Sequence, residues 1–481
     1  MNLATRSIRS AAFLSLSTIL NIIIGFIGGI ALARLLNPND FGTFALAVTI
    51  NIFLDIRSKL IMEQKFLRDQ TEQLPIYLDT FFTLSLGLNG LSFLLILIVV
   101  IGAITLNRLD LAVGLIILGL INLFMPISES IRLSIEKEVV FKAVSIIQFL
   151  SNLGQFTTTF IGAVTGLGWW SLLLGQAMGV FINIGLFLWI APRRPHLQFD
   201  YKMARDFMAY GMKYGIIGVS SGIIITQFDN LIIGLLAGTQ ALGFYDRAYR
   251  TAQWPTVLIS AALGRISLPT YSKLQDNPLQ LGKAFSMVLW VVLTLTAPIS
   301  LCFLVTAPTL VPLLYGEKWL PVIPILQLLA AFATFRPLLD DTVSILVATH
   351  KQRQLSWLLL SQAVTLIILA PPLTWQFGAT GTALSVGITF LISAIFLLYF
   401  GHSYLKINVW QAAGLPITNS LLTLALYFVI TYTLHLENFN LPIRLMIEVV
   451  TWFSLYGLIS LVTSYKIIMG NARYILKTAQ G

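Results

Sequence analysis

Asp246, Arg247 and Arg250 stand close together in LGFYDRAYRTAQWP (242–255), inside a chain that is apolar almost everywhere else. On a helix, Asp246 and Arg250 are i,i+4 neighbours and Arg247 and Arg250 are i,i+3 neighbours. One sector then carries all three, and Gln253 extends it by a turn. Charges in hydrocarbon are costly, and they persist where a bundle interior or an aqueous cavity compensates them. Arginine there suits the capture of phosphate. Its planar fork holds phosphate oxygens through paired hydrogen bonds and stays charged when desolvated. Arg250 lies about 14 Å below an outer helix end near Ala241, and Asp229 about 12 Å below its own outer end near Ala237. Both depths approach the middle of a hydrocarbon core about 30 Å thick. Asp229 is therefore expected to neutralise part of the arginine charge when no anion is bound. The plainer alternative is that Arg247 and Arg250 snorkel to the outer head groups, or form purely structural pairs with Asp246 and Asp229.

A second cluster, Arg336, Asp340 and Asp341, places Arg336 and Asp340 at i,i+4, which reads most simply as a self-contained ion pair. A role in binding is the sharper reading. Arg34 closes the first apolar segment beside an outer loop, either as an interfacial anchor or as a cavity cation. Asp55, Arg57 and Lys59 close the second, where a solvated helix end is the plain reading and contact with an anionic substrate at the inner mouth the sharper one.

Other chemistries find less support. Cys302 is the only cysteine, and the four histidines (His196, His350, His402, His435) never fall within metal-ligand spacing. Asp340 and Asp341 are adjacent, so on a helix they point about 100° apart and make a poor metal pair. No GxxxxGK phosphate loop occurs. No catalytic residue, metal or cofactor is expected. The net charge of +10 is not gathered into aromatic-interleaved basic runs, which argues against nucleic acid.

The elements that must position these residues follow from composition. Apolar residues make up 57% of the 481 and charged residues 10%, against about a quarter charged in soluble proteins. The apolar runs are continuous and not alternating, so they predict membrane helices and exclude a sheet barrel. Candidate spans fall near 11–34, 41–58, 77–104, 110–131, 142–165, 168–190, 213–237, 241–268, 285–307, 323–348, 354–376, 379–400, 414–434 and 443–467. The first is longer than a signal-peptide core and is read as a retained helix. With both termini cytoplasmic, the inner connections and adjoining helix ends carry 23 Lys or Arg and the outer ones four. That bias is what the positive-inside rule predicts. Trp169, Trp170, Trp254, Trp319 and Trp410, near span ends, are expected in an interfacial belt. Pro126, Pro255, Pro298 and Pro337 lie where they could kink helices.

An internal repeat divides the chain. LLNPNDFGTFALA (35–47) matches LLAGTQALGFYDRAY (235–249), with Gly42 and Gly243 offset by 201 residues. GLGWWSLLLG (166–175) matches GATGTALSVG (378–387) at an offset of 212. Six spans per unit is even, so the halves run parallel, an arrangement that puts a substrate site between them near the midplane. The expected organisation is an N-lobe over 1–195, a cytoplasmic connector over 196–206 within the basic stretch APRRPHLQFDYK (191–202), a C-lobe over 207–403, and two further helices with a tail over 404–481.

ALARLLNPNDFGTFALA (31–47) and QFDNLIIGLLAGTQALGFYDRAYRTAQWP (227–255) resemble the polysaccharide flippases of the multidrug/oligosaccharidyl-lipid/polysaccharide superfamily. The likeness is greatest to bacterial members serving teichuronic acid, colanic acid and similar exopolysaccharides. It covers the whole chain, with 227–255 as its most specific part. The resemblance implies an all-α integral membrane fold of fourteen helices, with two six-helix lobes around a central cavity often lined by basic residues. It also implies movement of undecaprenyl-pyrophosphate-linked oligosaccharide from the inner to the outer leaflet of the bacterial plasma membrane by alternating access. The partners it suggests are lipid-linked oligosaccharide, membrane lipids, and the polymerase and chain-length proteins of polysaccharide synthesis. Arg250, Arg247, Asp229, Asp246, Gln253, Arg34, Arg336 and Asp340 are the candidate cavity residues. Coupling to a proton or sodium gradient through Asp229 or Asp340 is one energy source to test.

Two alternatives share some of these features. A multidrug exporter of the same superfamily carries organic cations and calls for unpaired carboxylates, whereas the sector after residue 240 holds two Arg and one Asp. A membrane enzyme of the same pathway needs a large extramembrane domain, and the connections here are about 20 residues at most.

Overall fold

The computed structural model describes residues 21–70, 73–138, 141–191, 193–436 and 439–479, and no strand occurs among them. Packing separates the chain into two units, Met1–Gly243 and Phe244–Gly481. The first contains α1 (Asn21–Leu35), α2 (Pro38–Leu54), α3 (Ile56–Lys59), α4 (Met62–Arg68), α5 (Leu74–Thr105), α6 (Leu109–Lys137), α7 (Phe141–Val164), α8 (Trp170–Ile190), α9 (Tyr201–Tyr210) and α10 (Ile216–Leu236). Then come α11 (Thr239–Leu274), whose first turn still belongs to the first unit, α12 (Pro278–Tyr315), α13 (Val322–Ala333), α14 (Arg336–Ala348), α15 (Gln352–Leu405), α16 (Leu415–Leu434) and α17 (Leu441–Ala479). The expected first span, 11–34, is described only from residue 21 onward.

Eight helices among the described residues are long and apolar enough to cross a membrane, and α13 and α14 reach that length and apolarity only when taken together, across a bend of 41°. That bend lies just before Pro337, which sits in the first turn of α14 and so ends one helix and begins another. α7 and α11 occupy two of the expected spans but are more polar than these eight. α15 bends at Gly378, which has φ 58° and ψ −141°, and the expected spans 354–376 and 379–400 are its two arms. α2 stops at Leu54, short of the expected end of its span, because Asp55 leaves the helix and caps α3 through Ser58 N at 3.2 Å.

The start of α2 shows how sequence sets local structure. Pro38 occupies a first-turn position that needs no N–H, and Asn37 N donates to the Asp40 carboxylate at 2.8 Å, half of a capping box. The repeat is visible here as a reciprocal contact. A Cβ on Gly42 would collide with the Thr239 carbonyl oxygen, and a Cβ on Gly243 with the Pro38 carbonyl oxygen. Thr239 and Gly243 are the positions equivalent to Pro38 and Gly42 at the 201-residue offset, so the two helix starts cross about a local twofold. The second repeated motif behaves alike within each unit. Gly166 and Gly378, offset by 212, both have left-handed backbones, with φ 82° and 58°. Gly175 and Gly387, its far ends, both sit where a side chain would strike a neighbour, Thr159 and Phe332 respectively.

The connector after α8 is docked along α5. Buried Asp79 accepts from Arg193 Nη2 at 2.5 Å and from His196 N at 2.9 Å, Asp200 N donates to Thr80 Oγ1, and Thr83 Oγ1 donates to the Gln198 carbonyl. One apolar core of the first unit joins Leu60, Phe66, Tyr77, Phe81, Leu133 and Phe207. The second unit has a core around Tyr271, Phe285, Leu289, Ile345 and Phe400.

Candidate functional site

α11 carries the charged sector. Asp246 is buried, and Arg250 Nε donates to its two carboxylate oxygens at 3.0 and 2.8 Å. The Arg250 side chain is 63% exposed, so its guanidinium is anchored at Nε while much of it faces outward. Arg247 behaves differently. It is 3% exposed, with its guanidinium carbon 5.7 Å from the ring centres of both Tyr315 and Trp319, a desolvated cation–π arrangement. Helix geometry thus brings the three residues together as expected, but the two arginines face different surroundings. Gln253, one turn on, is half-buried.

The same aromatic pair revises an expectation. Trp319 is fully buried, its ring centre 6.1 Å from that of Tyr315, and Trp169 is 8% exposed with its ring tilted at 35° against that of Trp170, so neither stands in an interfacial belt. Trp410, at 59% exposed, fits one.

Arg336, at the start of α14, donates from Nη1 to Tyr249 Oη at 3.0 Å and lies over the Phe390 ring. It thereby joins α14 to the charged stretch of α11. The Asp340 side chain lies outside the described residues, so its pairing with Arg336 stays a reading of the sequence. Asp341 is fully buried and accepts from Tyr271 Oη at 2.9 and 3.1 Å. Asp229 is buried in α10 and accepts from its neighbour Asn230 N at 2.8 Å. Arg34 ends α1 and is exposed.

The first unit holds an ion network of which the sequence pointed only to Arg57. The turn at Asp55 directs Arg57 inward. Arg57 is 8% exposed, and it grips Glu129 through two nitrogens at 2.6 and 2.8 Å. It also meets Glu63 at 3.2 Å. Arg132 bonds Glu63 at 2.7 Å and Glu136 at 3.1 Å. The plain reading of Arg57 as a solvated helix end gives way to a buried hub joining α3, α4 and α6. Burial alone would raise the Glu63 carboxyl, but Arg132 and Arg57 outweigh it and hold Glu63 below its ordinary value of 4.5. A sequence signal existed: Glu129, Arg132 and Glu136 follow one another at i,i+3 and i,i+4 at the end of an apolar helix.

Beside this network lies a cavity of about 260 Å³. α6 lines it with Met125, Ser128, Glu129 and Arg132, spaced i, i+3, i+4, i+7. α7 contributes Gln148, Ser151, Asn152 and Gln155 at the same spacing, and α8 follows with Gln176, Gly179, Val180 and Asn183. Three helical stripes therefore converge on one polar space. Gln155 Nε2 donates to Gln176 Oε1 at 3.0 Å, and Ser151 Oγ donates to the Ile147 carbonyl at 2.8 Å.

Comparison with known proteins agrees with this architecture. The family model described as polysaccharide biosynthesis protein matches residues 31–324. The lipopolysaccharide biosynthesis protein WzxC of Escherichia coli (strain K12) is 26% identical over 359 residues, covering 72% of this chain and 71% of its own. The succinoglycan biosynthesis transport protein ExoT of Rhizobium meliloti (strain 1021) is 24% identical, covering 62% of this chain and 60% of its own. Among solved structures, the lipid II flippase MurJ in an inward closed conformation superposes with a TM-score of 0.75 at 16% identity, covering 95% of this chain and 99% of that one. That likeness establishes the fold.

Proposed function

We propose, because this chain belongs to the polysaccharide biosynthesis protein family, that it is a flippase for lipid-linked oligosaccharide. It carries undecaprenyl-pyrophosphate-linked repeat units from the inner to the outer leaflet of a bacterial plasma membrane. The names of its relatives, which include polysaccharide biosynthesis and transport proteins, and its likeness in fold to a lipid flippase support this reading. The observation that carries it is Arg250, an exposed guanidinium on α11, one of the expected spans, fixed at one edge by buried Asp246. Such a group pays little extra desolvation and keeps donors free for a diphosphate.

Within this proposal the fourteen crossings, the lobes at 1–195 and 207–403, cytoplasmic termini and alternating access complete the transport cycle. Arg250 is the first contact with pyrophosphate, with Gln253 one turn along. Arg34, Arg247, Arg336, Asp229 and Asp340 tune the charge of the passage, and Asp229 or Asp340 couples it to a proton or sodium gradient. Polymerase and chain-length proteins are the partners downstream.

The competing assignment is export of organic cations. Binding of a fluorescent glycan-bearing polyprenyl pyrophosphate to the purified protein separates the two. The flippase reading expects saturable binding that unlabelled lipid-linked glycan displaces and a lipophilic cationic dye does not. Saturable binding of the dye alone would overturn it.

A further inference from the structure

The amide-lined cavity of the first unit lies apart from the arginines of α11 in sequence and in chemistry. Its α7 wall is unusual for a membrane helix. Gln148 and Asn152 are exposed, and neither side chain bonds any other described residue. An unpaired amide in hydrocarbon costs about 4–8 kcal/mol, so such a stripe belongs against water or a polar ligand.

The charges bordering the cavity narrow that ligand. Glu129 is gripped on both oxygens by Arg57, so its charge is already compensated and a cation gains little from it. Arg132 is shared between Glu63 and Glu136. With two arginines against three glutamates the network is formally one unit negative, which repels an anion, while each of its carboxylates already faces a guanidinium, which leaves a cation little to gain. What remains is a neutral, hydroxyl-rich molecule. Amides and hydroxyls both donate and accept, which is what sugar hydroxyls require of a binding surface. The α7–α8 packing fits this use, since a Cβ on Gly179 would lie 3.0 Å from the Cβ of Gln155. That close approach lets the amides of both helices meet around one space.

We infer that the cavity between α6, α7 and α8, lined by Gln148, Asn152, Gln155, Gln176 and Asn183, is a saccharide-binding subsite that holds the glycan part of the transported lipid. This rests on the flippase reading and adds to it a second point of contact, one that recognises sugar hydroxyls where the arginines recognise pyrophosphate.

The test compares two probes, polyprenyl pyrophosphate bearing a neutral oligosaccharide and polyprenyl pyrophosphate without glycan, binding to the purified full-length protein. The double variant Gln148→Leu/Asn152→Leu, at exposed positions, weakens the glycan-bearing probe about tenfold and leaves the bare probe unchanged. Unchanged affinity for the glycan-bearing probe, or equal weakening of both, overturns the subsite while the flippase reading stands. Failure of the wild-type protein to bind either probe overturns both. If that variant does not fold, Asn152→Cys in a Cys302→Ser background gives one accessible thiol. The glycan-bearing probe then slows its maleimide labelling about fivefold and the bare probe does not. Equal labelling with both probes overturns the subsite.

Discussion

Arg250 and Arg247 lie three residues apart and are expected to behave oppositely when altered. The ion pair of Arg250 with Asp246 is largely exposed on the arginine side, and such pairs contribute about 0–1 kcal/mol. Arg250→Gln is therefore predicted to leave the melting temperature nearly unchanged while slowing transport about tenfold, the scale of a lost charge-assisted hydrogen bond. Arg247 is enclosed by Tyr315 and Trp319, where a desolvated cation–π contact is worth about 2 kcal/mol. Arg247→Gln should lower the melting temperature clearly. If both variants melt alike, the division between an outward-facing and an enclosed arginine is wrong. Glu63 makes a further prediction. A carboxyl held below its ordinary value stabilises the fold above that value, and the contribution is lost as pH falls through the lowered one. Glu63→Gln should melt below wild type at pH 7, with the gap closing as pH drops below 4.5. A gap that does not change with pH would show that the ion network adds nothing through this charge. The grouping of Asp246, Arg247 and Arg250 was legible from spacing alone. Their separate surroundings were not, because Tyr315 and Trp319 lie more than sixty residues away in sequence.

At the scale of elements, the repeated glycines carry a structural requirement. Gly42 meets the Thr239 carbonyl and Gly243 the Pro38 carbonyl, so the starts of α2 and α11 cross at backbone distance. Gly42→Ala forces them apart, at a cost in the range of about 1–3 kcal/mol for overpacking. The predicted result is a lower melting temperature with reduced yield of folded protein, while Gly87→Ala, where a Cβ meets open space, stays near wild type. Equal behaviour of the two variants would remove the crossing from the account. The motif match exposed this pair, because a positional need for glycine survives in sequence as glycine. The α15 break was legible for the same reason, since Gly378 takes a left-handed backbone. The polar stripe on α7 was equally present in IIQFLSNLGQF, yet counting apolar residues to find spans passes over amides at helical spacing. The turn at Asp55, which buries Arg57, depends on Glu63 and Glu129 arriving from two other helices, and no local pattern reports that.

For the whole molecule, composition determined the class of protein before any motif was considered. A chain with 10% charged residues confines its charges to a few places. Among them are the basic connections, the α3–α4–α6 network, the α11 sector, and the buried Asp229 of α10 and Asp341 of α14. The connector after α8, expected as a linker between lobes, is bound to α5 through buried Asp79, a contact that a composition of Pro, Arg and His did not announce. The central claim is that the protein moves a pyrophosphate-linked glycan across a bilayer. Its most direct measurement uses vesicles reconstituted with the purified protein and glycan-bearing polyprenyl pyrophosphate initially on one leaflet, following the fraction reachable from the other side by a lectin. The account predicts movement well above that in protein-free vesicles, falling about tenfold with Arg250→Gln. A wild-type rate equal to that of protein-free vesicles would contradict it.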